Sequence, residues 1–157
     1  MSELILNPLA PRFWTGLGLY GIFVQPFRGY PLVKAIHQGF ERQVTADDPA
    51  RPGEVVHLYM SGLGPVTPVQ SDYAPATAPP PTINTPLTCH FLGDIPARVL
   101  FAGLSVGLVG IYQVELEIPR TRIGEPVLIC AVPFGAVLAS AYLPVEGGLE
   151  GFLPASR

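Results

Sequence analysis

Between Ile111 and Pro119 the chain alternates with a period of two. Tyr112, Val114, Leu116 and Ile118 fall on one side, and Gln113, Glu115 and Glu117 on the other. Extended backbone turns successive side chains to opposite faces, so this stretch predicts a strand with one dry and one wet face. The same alternation runs through "VVHLYMSGLGP". There Val56, Leu58 and Met60 oppose His57 and Tyr59, and Gly62, Gly64 and Pro65 end the strand. "LTCHF" and "ARVLFAG", separated by Gly93-Asp94, read as a hairpin. "EPVLICAVPFGAVLASAYLPV" reads as two more strands around a turn at Pro133-Phe134-Gly135. Residues 32–45 fit two patterns. Leu32, Val33, Ile36 and Phe40 would line one face of a helix, whereas Gln38-Gly39 marks a turn between two short strands. The hairpin is the preferred reading.

The segments between are rich in breakers. Pro26 and Pro31 exclude a helix through the first 31 residues. "DDPARPGE" is a polar connector, and "APATAPPPTINTP" at 74–86 predicts a stiff, exposed polyproline-type loop. Long helical periods and heptads are absent from the sequence. Together the pattern predicts an all-β fold, an immunoglobulin-like β-sandwich of about seven to nine short antiparallel strands with Pro/Gly-rich loops. Its core spans 49–147, with N-terminal strands at 1–48 packing on or extending it and a tail at 148–157.

Composition sharpens this picture. Apolar residues make up 48% of the 157 and charged residues only 13%, against roughly 25% charged in an ordinary soluble domain. So low a charge predicts an unusually apolar surface or a face covered by a partner. The net charge of −3 provides no basic footprint for nucleic acid. The apolar run Val99–Val114 is broken by Gly103, Gly107 and Gly110. It is also shorter than the ~18–20 residues of a spanning helix, so no membrane span is expected. Glu3 and the Asn7-Pro8 break do not suit a signal peptide.

Several motifs invite catalytic readings. Gly16-Leu-Gly-Leu-Tyr-Gly21 matches the dinucleotide fingerprint, but that site needs a helix opening from the glycines. "IFVQPFRGYP" cannot supply one. Ser61 lacks the G-x-S-x-G setting of a nucleophile elbow. His37, His57 and His90 lie on different predicted strands, where exposed or edge positions are expected. Asp47-Asp48 reads as a solvated turn rather than a calcium loop, and Glu115 and Glu117 as a wet face rather than a catalytic pair. Cys89 and Cys130 are open to three readings: two small buried residues, a disulfide, or half of a metal site. No catalytic residue, cofactor or metal is assigned. The aromatics Phe13, Trp14, Tyr20, Phe23, Phe27 and Tyr30 crowd the first 30 residues. They are candidates for core packing or for a partner-binding face.

The order of motifs from Pro49 onward resembles a known family. Pro52-Gly53, Ser61-Gly-Leu-Gly-Pro65, Gly93 with Pro96-Ala97, Leu100-Phe-Ala-Gly103, Tyr112-Gln113 with Ile118-Pro119, and Gly124 with Val127 and Ile129 follow its pattern. It is the Solibacter-type C-terminal domain family, common in exported bacterial proteins. Asp94 stands where the family has a second Gly, and Glu115 where it has Asn. The strand layout is similar to IPT/TIG immunoglobulin-like modules. The resemblance implies a sandwich fold and an exported or cell-surface setting, and it carries no catalytic residues. The expected function is a non-catalytic structural or protein-interaction module in a larger assembly. Apolar faces and strand edges would meet a protein partner or a second copy. The alternative is a carbohydrate-binding module using the N-terminal aromatics. A third reading, a hydrolase, requires His57 or His90 within hydrogen-bond reach of a serine or carboxylate in a pocket.

Overall fold

The computed structural model describes residues 9–13, 31–71, 73–133 and 138–148. Among the described residues the chain is all-β, with no helix. Seven strands form one antiparallel hydrogen-bonded path: β1 (Leu9–Phe13), β3 (Val55–Leu63), β8 (Tyr112–Glu117), β7 (Ile95–Leu104), β6 (Thr88–Phe91), β9 (Val127–Ala131) and β10 (Leu138–Tyr142). Three two-residue strands lie off it. β2 (Ala35–Ile36) pairs with β3, and β4 (Val66–Thr67) pairs with β5 (Thr82–Ile83), which touches β7 at Gly103.

β7 is long enough to serve two halves of the sheet. Its first residues, Ile95–Ala97, pair with β6, and Arg98–Leu104 pair with β8. Val99 faces Leu116 and Phe101 faces Glu115, so Leu100 is the extra residue of a β-bulge. A bulge bends its strand and increases the local twist, and it leaves Leu100 43% exposed. The sheet curls until its ends approach. The N–H of Val33 donates to the Tyr142 carbonyl (3.0 Å) and that of Tyr142 to the Pro31 carbonyl (2.8 Å). A few residues on, Ala35 and Ile36 pair with Leu58 and His57 of β3. The 31–36 segment thus spans from β10 to β3.

Six of the seven dry positions predicted from the alternation fill the interior; Tyr112 is half-buried against it, and His57, expected on the wet side, is buried too. Val56, Leu58, Met60, Val114, Leu116 and Ile118 are all fully buried. They join one apolar cluster that includes Phe91, Leu128 and Leu143. Burying each such side chain contributes roughly 1.5–3 kcal/mol. Register is therefore strongly specified, because a one-residue slip would turn this whole set to solvent.

The turns follow local chemistry with two departures. Three residues join Phe91 to its partner Ile95. Gly93 (φ 91°) and Asp94 (φ 59°) both take the positive φ used by tight hairpin turns. The 32–45 hairpin is present, with Ile36 bridged to Gln43 and the N–H of Phe40 donating to the His37 carbonyl at 2.9 Å. Its positive φ falls on Phe40 (59°) rather than on Gly39. The 74–86 loop is less detached than its prolines suggest. Ala76 is buried and bridged to Val106, and Thr82–Ile83 is a strand. Residues 134–137, where a turn is expected, lie outside the described residues. The flanking strands pair from Leu138↔Ala131 to Tyr142↔Val127, as a hairpin there requires.

Cys89 and Cys130 face each other across β6 and β9 and form a disulfide. This settles the three readings left open by their spacing. Both residues are buried, with relative exposures of 5% and 0%.

Candidate functional site

Strand register gathers most of the charge of β3, β7 and β8 at one end, and Arg12 of β1, opposite Ser61, lies toward the other. From Val55 to Gly93 the sequence holds one charged residue, Asp72, which lies outside the described residues; from Val99 to Val114 it holds none. β3 starts at Val55 opposite Glu117, and its Met60 lies opposite Tyr112. β7 runs from Arg98, also opposite Glu117, to Leu104, opposite Tyr112. Glu54, Arg98, Glu115 and Glu117 therefore sit toward one end. Loops 64–65, 68–71, 73–81 and 105–111 sit at the other, a low-charge pole whose loops carry no charged side chain among the described residues.

This pole exposes large apolar side chains. Val69 is 93% exposed and Tyr73 92%, and Val106, Leu108 and Val109 are about half exposed. The loops that carry them are tied down. The Ala76 N–H donates to the Leu108 carbonyl (3.2 Å), and the Gly107 N–H donates to the Ala76 carbonyl (2.8 Å). The Tyr112 hydroxyl donates to the Gly64 carbonyl at 2.6 Å. Beside them a groove of about 470 Å³ runs between segment 82–87 and residues 99–102 of β7. None of its lining residues carries charge.

The opposite end holds a histidine clasp that spacing does not reveal. Exposed or edge positions were expected for the histidines, but His37 is 5% exposed and His57 4%; only His90, on β6, stays half-buried. The reason is partnership. His37 Nδ1 lies 2.6 Å from Glu54 Oε1, and its Nε2 lies 3.2 Å from the Asp48 carbonyl oxygen. The Glu54 carboxylate also accepts from the N–H groups of Gln38 (3.3 Å) and Arg51 (2.9 Å). Burial pushes the Glu54 carboxyl up. The Arg51 N–H, the His37 ring and the Gln38 N–H outweigh it and hold Glu54 below its ordinary value. Asp48 is engaged by Arg42 as well as by His37, so it is a salt-bridged residue and not a free calcium ligand.

His57 lies under Phe40, whose ring stacks on it at 3.7 Å between centroids. Its Nε2 is 3.3 Å from the Gln38 carbonyl oxygen, and its Nδ1 is 3.4 Å from Gln113 Nε2. The Glu115 carboxylate stands 3.7 Å away, beyond a hydrogen bond. Of the serine or carboxylate partners that the hydrolase reading requires, Glu115 is the one placed near His57 among the described residues, and it stands outside hydrogen-bond reach. The clasp does something simpler: it ties hairpin 37–44 and connector 45–54 to β3. Among the described residues no group of three His, Cys, Asp or Glu is placed to hold a metal, and no helix is long and apolar enough to cross a membrane.

Of the aromatic candidates, Phe13 belongs to β1, where its backbone pairs opposite Met60. Trp14, Tyr20, Phe23, Phe27 and Tyr30 lie outside the described residues, as does Gly16–Gly21. Ser61 lies within β3, opposite Arg12. The low-charge pole was traceable in the two charge-poor runs of sequence; the clasp and the groove had no such signal. No family model matches the chain, and no curated protein or solved structure is significantly similar to it.

Proposed function

We propose that this chain is a non-catalytic structural or protein-interaction module, an immunoglobulin-like sandwich that docks through its low-charge pole. The observation that carries this reading is the exposure of Val69, Tyr73, Val106, Leu108 and Val109 on two loops that are fastened to each other at Ala76. A preordered apolar surface loses little entropy when it is covered. Contiguous apolar area beyond a few hundred Å² marks an interaction site. The motif resemblance over 49–135 supports the sandwich reading and an exported or cell-surface setting. The buried disulfide supports the same setting, because such bonds persist in oxidising compartments. A protein partner or a second copy would meet the pole.

The test compares two triple variants in sedimentation velocity and in affinity capture from the source organism's envelope extract. Val69→Ser/Tyr73→Ser/Leu108→Ser removes apolar area at the pole, and Arg51→Ser/Glu125→Ser/Glu146→Ser alters the charged end. The first is expected to lose an association that the second keeps, and that association should persist from about 0.05 M to about 0.5 M salt, because contacts without charge are not screened. A wild-type protein that sediments as a monomer and captures nothing would overturn the reading.

A further inference from the structure

We infer that the low-charge pole takes a different protein as its partner, one whose facing surface is built from tryptophan and tyrosine side chains, and not a second copy of this chain. This inference rests on the reading of the protein as an interaction module and names the partner's chemistry.

The pole is rich in proline and short of donors. Pro65, Pro68, Pro75 and Pro79 are exposed on the same loops as Val69 and Tyr73. Proline carries a carbonyl but no N–H. Residues 68–71 and 73–81 therefore hold thirteen backbone carbonyls and, with prolines at 68, 75, 79, 80 and 81, eight N–H groups. Exchange with the neighbouring segment 104–108 changes this little: it meets the Ala76 and Pro81 carbonyls and takes the Ala76 N–H. Side chains add few donors. Gln70 turns its amide to the Ala74 carbonyl at 3.2 Å, and hydroxyls stand on Ser71, Tyr73 and Thr77. The Ser71 hydroxyl oxygen itself accepts from the Tyr73 N–H at 3.3 Å.

In water the surplus carbonyls are hydrated. Under a partner they need donors, because a covered acceptor left unpaired loses its hydration without return. Candidate surfaces differ in what they bring. Aliphatic side chains match the valines and prolines but donate nothing. Lysine and arginine donate, yet the run from Val55 to Gly93 holds a single charged residue, Asp72. A basic surface would bury most of its charge there without a counterion. A second copy fares no better. A twofold interface sets a patch against itself, so an excess of carbonyls would face the same excess.

Tryptophan and tyrosine meet both demands. Each joins a broad apolar ring to one N–H or O–H donor. The ring covers the exposed Pro, Val and Leu side chains while the donor reaches a carbonyl. Proline-rich segments dock grooves lined by such rings. The prolines also fix φ before any partner arrives, so the loops lose little conformational freedom on contact. The fastening of Ala76 to Gly107 and Leu108 acts in the same direction.

The test uses the full chain labelled with ¹⁵N and three probes. These are N-acetyl-tryptophanamide, its analogue methylated on the indole nitrogen, and N-acetyl-leucinamide. The tryptophan probe is expected to shift the amide resonances of Val69, Tyr73, Thr77 and Val106 saturably. The methylated analogue keeps the ring but loses its donor, so it should bind roughly threefold more weakly or worse. The leucine probe should produce no saturable shift. Val69→Ser/Tyr73→Ser/Leu108→Ser should keep the native spectrum elsewhere and lose the response to tryptophan. In sedimentation velocity the wild type by itself should stay monomeric. Unmoved pole resonances, equal binding of the tryptophan probe and either control, or self-association that the pole variant abolishes would overturn the inference. If the pole self-associates, or captures a protein while ignoring tryptophan, the aromatic partner falls and the functional reading stands. If tryptophan binds the pole while the wild type captures no protein, the ring preference stands and the functional reading falls.

Discussion

Replacing both cysteines, Cys89→Ala/Cys130→Ala, tests how the sheet is held together. The bridge joins β6 to β9 at directly opposed residues separated by 41 positions, and the loop it closes contains β7 and β8. In the chain-entropy account a loop of this length restricts the unfolded ensemble by about 4 kcal/mol at 25 °C. Alanine leaves no hydroxyl to satisfy in a buried site, so most of the loss should come from the freed unfolded chain. For a domain of this size, where 1 kcal/mol shifts Tm by roughly 2–4 °C, the midpoint should fall by about 12 °C. Guanidinium unfolding followed by far-ultraviolet circular dichroism measures both the free energy and its denaturant slope. The slope should rise, because an unbridged unfolded chain exposes more surface. A loss below about 1 kcal/mol with an unchanged slope would refute the reasoning and show that the bridge adds nothing to the pairing of β6 with β9.

Other outcomes follow from single positions. A Cβ at Gly103 would lie 2.3 Å from the Pro81 carbonyl oxygen and 2.7 Å from the Phe101 ring. Gly103→Ala should therefore destabilise by about 1–3 kcal/mol, whereas Gly39→Ala, with nothing within 4 Å, should leave the thermal midpoint within about 2 °C. Asp94 holds a φ of 59°, so Asp94→Gly should raise stability by about 0.5–1 kcal/mol in urea titrations; a loss would mean that the Asp side chain stabilises the turn. Leu116, fully buried, should cost about 2–5 kcal/mol as Leu116→Ala. Glu54 titrates below its ordinary 4.5 in the fold. The stability it contributes is present above about pH 4.5 and is lost as pH falls through the lower folded value. Glu54→Gln should flatten that acid limb, and curves that stay parallel from pH 3 to pH 6 would contradict the clasp.

The alternation at 112–118 and at 56–60 determined strands, faces and core from sequence alone, because a two-residue period is a local property of extended backbone. Gly93-Asp94 and Gln38-Gly39 likewise announced their hairpins through local turn preferences. The scarcity of charge in 55–93 and 99–114 was also visible in the sequence. Its gathering at one pole was not, because that depends on β3, β7 and β8 pairing in a particular register. His37 and Glu54 lie 17 positions apart, and Cys89 and Cys130 41 apart. Nothing in their neighbours' chemistry specifies those meetings. The groove beside Leu100 belongs to neither segment alone, since one wall comes from 82–87 and the other from β7. Sequence determined which side chains shun water and where the chain turns. Tertiary structure decided which distant groups meet, because that choice is made by packing the whole curled sheet around a single interior.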